Sequence, residues 1–118
     1  MQRKATPQSR APNAAEKRWM SFVKGQSNCW ACGQYGPVEG HHVVGSAGKE
    51  KVNLVTVLIG HWFVIALCPD CHSLAGFSKL FRDLHGRQSR IWAERIGTYA
   101  SKNECPDEVY QGVMKNGR

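Results

Sequence analysis

The rhythm of apolar and polar positions changes along the chain, and each change predicts an element. Residues 1 to 12, MQRKATPQSRAP, are polar, basic and broken by proline, without hydrophobic period, and are expected to be a disordered arm. From Asn13 a short helix is predicted, because Asn13 suits an N-cap, Glu16 follows three positions on, and Trp19, Phe22 and Val23 share one face. CWACGQYG reads as a tight turn between cysteines, His41 to Val44 as a strand, and GSAGKEKVN as a loop. LVTVLIGHWFVIALC is rich in β-branched residues and reads as strand, with Gly60 bending it into two segments. From CPDCHSLAGFSKLFRDLHG onward the period turns helical. Leu74, Phe77, Leu80, Phe81 and Leu84 recur at three and four, with an interruption at Gly76 and a stop at Gly86. A further helix should bury Ile91, Trp92 and Ile96 and end near Gly97, and from Lys102 the tail is weakly patterned. The order is β, β, α with helical flanks, which is an α+β chain without internal repeats.

Three regions follow: a basic arm and short helix over 1–26, a folded domain over 27–100, and a C-terminal tail over 101–118. A chain of 118 residues can build only a modest core, so an internal staple would help it. The net charge of +7 favours a polyanionic partner, nucleic acid first. Arg3, Lys4, Arg10, Lys17 and Arg18 crowd the lead-in, and Lys49 and Lys51 add basic groups further on. These are the expected DNA-backbone contacts, although a solvated basic surface would carry the same charge.

The longest apolar run, Val52 to Leu67, is broken by Asn53, Thr56, Gly60 and His61, so no membrane span is expected. No apolar h-region follows the basic N-terminus, so a secretory signal is not expected either, and a reducing, cytoplasmic home is. There, five cysteines point to metal before disulfides.

Cys29-x-x-Cys32 and Cys68-x-x-Cys71 can each present two sulfurs from one turn. Together they make a closed tetrahedral set suited to structural Zn²⁺, which would tie the strands to the helix start. One CxxC could instead be a redox dithiol, but no thioredoxin-like βαβ pattern accompanies it. Cys105 lacks a partner and reads as a spare thiol.

All five histidines, His41, His42, His61, His72 and His85, fall in or between the two strands and the following helical segment. Singly, each is an ordinary packed or exposed residue. Gathered around a zinc-pinned ββα unit, they are harder to dismiss.

The ordered set GHHVV, HWFVIALC and CPDCH resembles the HNH, or ββα-metal, endonucleases, in the subgroup framed by CxxC and CxxCH. With the later LHG and its following Trp, Glu and Gly, it looks most like phage recombination-associated HNH proteins, over about residues 29 to 97. The resemblance implies a small ββα-metal core, a structural zinc, and one catalytic divalent cation (Mn²⁺, Ni²⁺, Zn²⁺ or Mg²⁺). It makes His42 the general base, His41 and His72 metal ligands, and His85 a further ligand displaced by SLAGFSKLFRD. His61 falls at the Asn position that orients the base. It could instead be a ligand, with Asn53 the Asn equivalent. Simple strand alternation would point His41 and His42 to opposite faces, so the strand must end or twist for both to reach one phosphate.

Under this resemblance the chain is a phosphodiester hydrolase acting on DNA in phage or bacterial recombination, repair or processing, within the bacterial host cytoplasm. A recombination or packaging protein would be a further partner, and the chain would be a monomer or weak dimer. Neutral His42 could take a proton from water near neutral pH. Imidazole ligands favour Mn, Ni, Co or Zn over Mg. The competing readings are a zinc-stapled DNA-binding module without catalysis and, more remotely, thiol-disulfide chemistry.

Overall fold

The computed structural model describes residues 11–116 and 118. The expected arm, with Arg3, Lys4 and Arg10, lies outside the described residues apart from its last two positions. The first helix, α1 (Ala14–Lys24), is closed by a reciprocal cap. The Asn13 side chain accepts from Glu16 N–H at 2.8 Å, and the Glu16 carboxylate accepts from Asn13 N–H at 2.9 Å. Trp19 and Val23 are fully buried from this helix, and Phe22 stacks on Trp19 with ring centroids 5.6 Å apart.

Among the described residues there are two small antiparallel sheets and five α-helices. The first sheet pairs β1 (Glu39–His42) with β4 (Val64–Leu67), His41 opposite Ile65 and His42 opposite Val64. β4 is a continuous apolar run buried on both faces, with α1 on the sheet as well as the later helices. Trp30 N–H donates to Ala66 O at 2.9 Å, which ties the first cysteine turn to the far side of β4.

The bend expected at Gly60 is present: Gly60 has φ +50° and opens a 3₁₀ turn, Gly60–Trp62, before β4. The segment before the bend, β3 (Val55–Leu58), pairs with a strand that the sequence does not advertise, β2 (Lys49–Val52). This corrects the loop expected over residues 45–53. KEKV carries charge on its exposed face and gains its burial only from a distant helix, so its own pattern is weak. The first strand also starts earlier than expected, at Glu39, and ends at His42.

The helical segment divides into α2 (Pro69–Leu74) and α3 (Ser78–His85), stopping at Gly86 with φ +86°. The apolar face expected there is corrected: Phe81 is buried and Leu74 partly so, whereas Phe77, Leu80 and Leu84 are exposed. The break between α2 and α3 turns that stripe outward. α4 (Gln88–Ile96) buries Ile91, Trp92 and Ile96 and ends at Gly97, as the pattern predicts. The tail is not structureless. α5 (Asp107–Lys115) buries Val109, Gly112 and Val113 and packs on β2, β3 and α4. No helix among the described residues is long and apolar enough to cross a membrane.

Candidate functional site

Cys29 and Cys32 sit on the turn closed by the Asn28–Tyr35 bridge, while Cys68 caps α2 and Cys71 lies in its first turn. All four sulfurs lie within 4.8 Å of one another. A tetrahedral zinc with Zn–S near 2.3 Å sets sulfurs about 3.8 Å apart, and Cys32 Sγ is 3.9 Å from Cys68 Sγ. The backbone supports thiolates here. Ala31 and Cys32 N–H donate to Cys29 Sγ, and Cys71 N–H donates to Cys68 Sγ, each at 3.4 Å. Burial pushes the Cys29 thiol up, but the backbone donors outweigh it and bring it down to about 7. Burial and the neighbouring sulfurs push Cys71 far up, because thiolates crowded together need a cation between them. The quartet can therefore hold one structural Zn²⁺. Cys105 stands apart, buried, its thiol pushed up to about 12 chiefly by burial, as befits an inert thiol.

The five histidines are not gathered in one place. Strand alternation holds through β1, so Glu39 and His41 face one side and His42 the other. On the first side His41 meets His72 of α2, ring centroids 4.9 Å apart, and His72 Nδ1 lies 2.6 Å from Glu39 Oε1. On the other side His42 Nε2 lies 2.9 Å from Nδ1 of His61, which the 3₁₀ turn delivers and buries. His85 goes elsewhere: its Nε2 is 4.0 Å from Cys71 Sγ and its ring rests on Phe81. Among the described residues, the cysteine quartet is the group of three or more potential ligands that converges, and His41, His72 and His85 do not converge as a trio. Asn53, the alternative to His61, lies in neither β1 nor β4. It occupies the β2–β3 turn with φ +52°, and Leu54 beside it has φ +69°, the backbone of a type I′ turn.

No family model, characterised protein or solved structure matches this chain. Its chemistry must be read from these side chains.

Burial, then the nearby His72, lowers His41 to about 4, with Gln88 opposing. Burial, then His61 and Lys24, lowers His42, with Glu16 opposing. Both imidazoles are thus held toward the neutral form. Three neighbours escaped the sequence reading. Lys24 runs beside Gly40 and His42, Arg118 lies near His41, and Gln88 is buried at His41 with its amide oxygen unpartnered. Glu39 is a fourth, and its place two residues before His41 carries the period-two signal of a shared strand face.

Of the expected basic contacts, Lys17 and Arg18 lie exposed on α1 and Lys49 and Lys51 exposed on β2. Arg18 is engaged with both carboxylate oxygens of Glu104, which offsets its charge.

Proposed function

We propose that the chain is a metal-dependent DNA endonuclease of the HNH type, built on β1, β4 and α2. The observation that carries this reading is that two neighbouring residues at the end of β1 each hold a histidine partner, one on each side of the strand: His41 beside His72 at 4.9 Å, and His42 bonded to His61 at 2.9 Å. Phosphodiester hydrolysis needs a base for water, relief of charge on the phosphoryl oxygens, and help for the leaving 3′-oxygen. His42 supplies the base: with Nε2–H donated to His61 Nδ1, its Nδ1 lone pair is the one that takes the proton. His61 then orients the ring, the part that an Asn plays in the family.

His41 and His72 offer a divalent cation two imidazoles, with the buried Gln88 side chain beside His41. Such a cation, when bound, polarises the phosphate and stabilises the leaving alkoxide. His41 and His72 would hold it, and the imidazole donors favour Mn²⁺, Ni²⁺ or Zn²⁺ over Mg²⁺. Lys24 and Arg118 flank the two sides and suit phosphate oxygens. The zinc quartet joins the turn before β1 to the start of α2 and so fixes His72 against β1. A role in phage or bacterial DNA recombination, repair or processing follows the family resemblance.

Plasmid nicking across Mg²⁺, Mn²⁺, Ni²⁺ and Zn²⁺, with His42→Ala beside the parent, tests the reading. A second reading, a zinc-stapled DNA-binding module without catalysis, is favoured by the lack of a converged histidine trio among the described residues. It predicts DNA binding with no nicking in any metal.

A further inference from the structure

Glu39 Oε1 lies 2.6 Å from Nδ1 of His72, and the hydrolysis chemistry assigns this carboxylate no step of its own. We propose that Glu39 is a positioning residue for His72: it accepts a hydrogen bond from His72 Nδ1–H, locks that tautomer, and leaves Nε2 as the lone pair offered to a cation. The 2.6 Å separation between Glu39 Oε1 and His72 Nδ1 is that of a charge-assisted hydrogen bond. A neutral imidazole carries its proton on one nitrogen only, so a carboxylate at Nδ1 decides which nitrogen can ligate. Metal-binding histidines commonly owe their orientation to such a second contact.

The fold explains why the two residues meet. Glu39 is paired with Leu67 at the end of β4, and the next residue, Cys68, both joins the sulfur quartet and opens α2. His72 N–H donates to Cys68 O at 2.8 Å in the first turn of that helix. Glu39 and His41 share the face of β1 that α2 covers. The carboxylate therefore reaches His72 from the strand that carries His41. Glu39 and His72 are both partly open to solvent, their side chains 52% and 36% exposed. An exposed pair of this kind adds little to stability, so its removal should leave the chain folded.

The purpose of this contact rests on the metal-site reading, but the contact can be tested without it. Nitrogen-15 NMR of the zinc-loaded full chain at alkaline pH reports the His72 tautomer directly. The parent should show Nδ1–H. Glu39→Ala should release it to a mixture with Nε2–H, and Glu39→Gln should keep it, because the amide oxygen still accepts. Calorimetric titration of the same proteins with Ni²⁺, using His72→Ala to identify the site, should show roughly 10- to 100-fold weaker binding in Glu39→Ala and a smaller loss in Glu39→Gln. An unchanged tautomer in Glu39→Ala overturns the assignment whatever the metal does. If Glu39→Ala shifts the tautomer but the parent binds no Ni²⁺ that His72→Ala removes, the positioning contact stands and the metal reading falls.

Discussion

His42 Nε2 and His61 Nδ1 lie 2.9 Å apart, joined across the space between the end of β1 and the 3₁₀ turn before β4. The two rings meet edge to face, with centroids 5.0 Å apart, so one nitrogen of each is committed to the other. Gly60, with φ +50°, makes the bend that brings His61 back over β1. A histidine pair held in this way presents His42 in one orientation.

That relationship sets the expected behaviour of the pair. His42→Ala should lose roughly 10²-fold or more in cleavage rate while keeping zinc and DNA binding. His61→Asn, which retains an acceptor for His42, should lose less than His61→Ala. Single-turnover nicking at saturating metal measures all three. Rescue of His42→Ala by excess metal would instead make His42 a ligand.

Cys29→Ser or Cys68→Ser should release zinc and unfold much of the chain, because the quartet joins the turn before β1 to the start of α2. Cys105→Ser should change little, since that buried thiol donates only a weak bond, 3.8 Å, to the carbonyl of its neighbour Pro106 among the described residues. Zinc content by elemental analysis, read beside circular dichroism, separates the cases. A zinc-free Cys29→Ser protein with parental folding would remove the staple from the account.

His41 gives stability a pH dependence of known sign. Folding lowers its pKa from 6.5 to about 4, so the unfolded chain binds more protons within that window. Its contribution is whole above pH 6.5 and is lost as pH falls toward 4, amounting to on the order of 2 kcal/mol. Urea unfolding of the parent and of His41→Asn at fixed zinc should show a shallower acid slope in the variant. Parallel slopes would mean that His41 is not buried as a neutral ring.

Leu54 holds a left-handed backbone, φ +69°, at the tip of the β2–β3 turn while 94% exposed, so its side chain packs on little. Leu54→Gly should relieve that strain and stabilise the chain by about 1 kcal/mol, net of the extra entropy of an unfolded glycine. Thermal and urea unfolding check it, and a destabilised variant would show that Leu54 has a packing role.

Deleting residues 1–10 removes Arg3, Lys4 and Arg10 and spares the Asn13 cap and Trp19. DNA affinity should fall, and the salt dependence of log K should flatten by up to about 3. Nicking at saturating DNA and low salt should persist. Unchanged affinity and slope would take the arm out of the interface.

Much of this was legible along the chain because it depends on neighbours in sequence. The Asn13–Glu16 cap, the two CxxC turns, the bend at Gly60, the stop at Gly86 and the buried stripe of α4 each follow from spacings of a few residues. What tertiary structure alone decided involves partners far apart. KEKV became a strand because β3 and α5 cover it, and the tail became α5 because packing on β2, β3 and α4 buries Val109 and Val113. The break after α2 left Phe77, Leu80 and Leu84 outside, although their period is that of a buried face. The histidines show the same division. Their types and order were plain, and alternation in β1 already separated His41 from His42. Only the fold set His72 on Glu39, His61 on His42 and His85 against Cys71, because periodicity specifies which face a side chain takes and not what the fold brings to meet it.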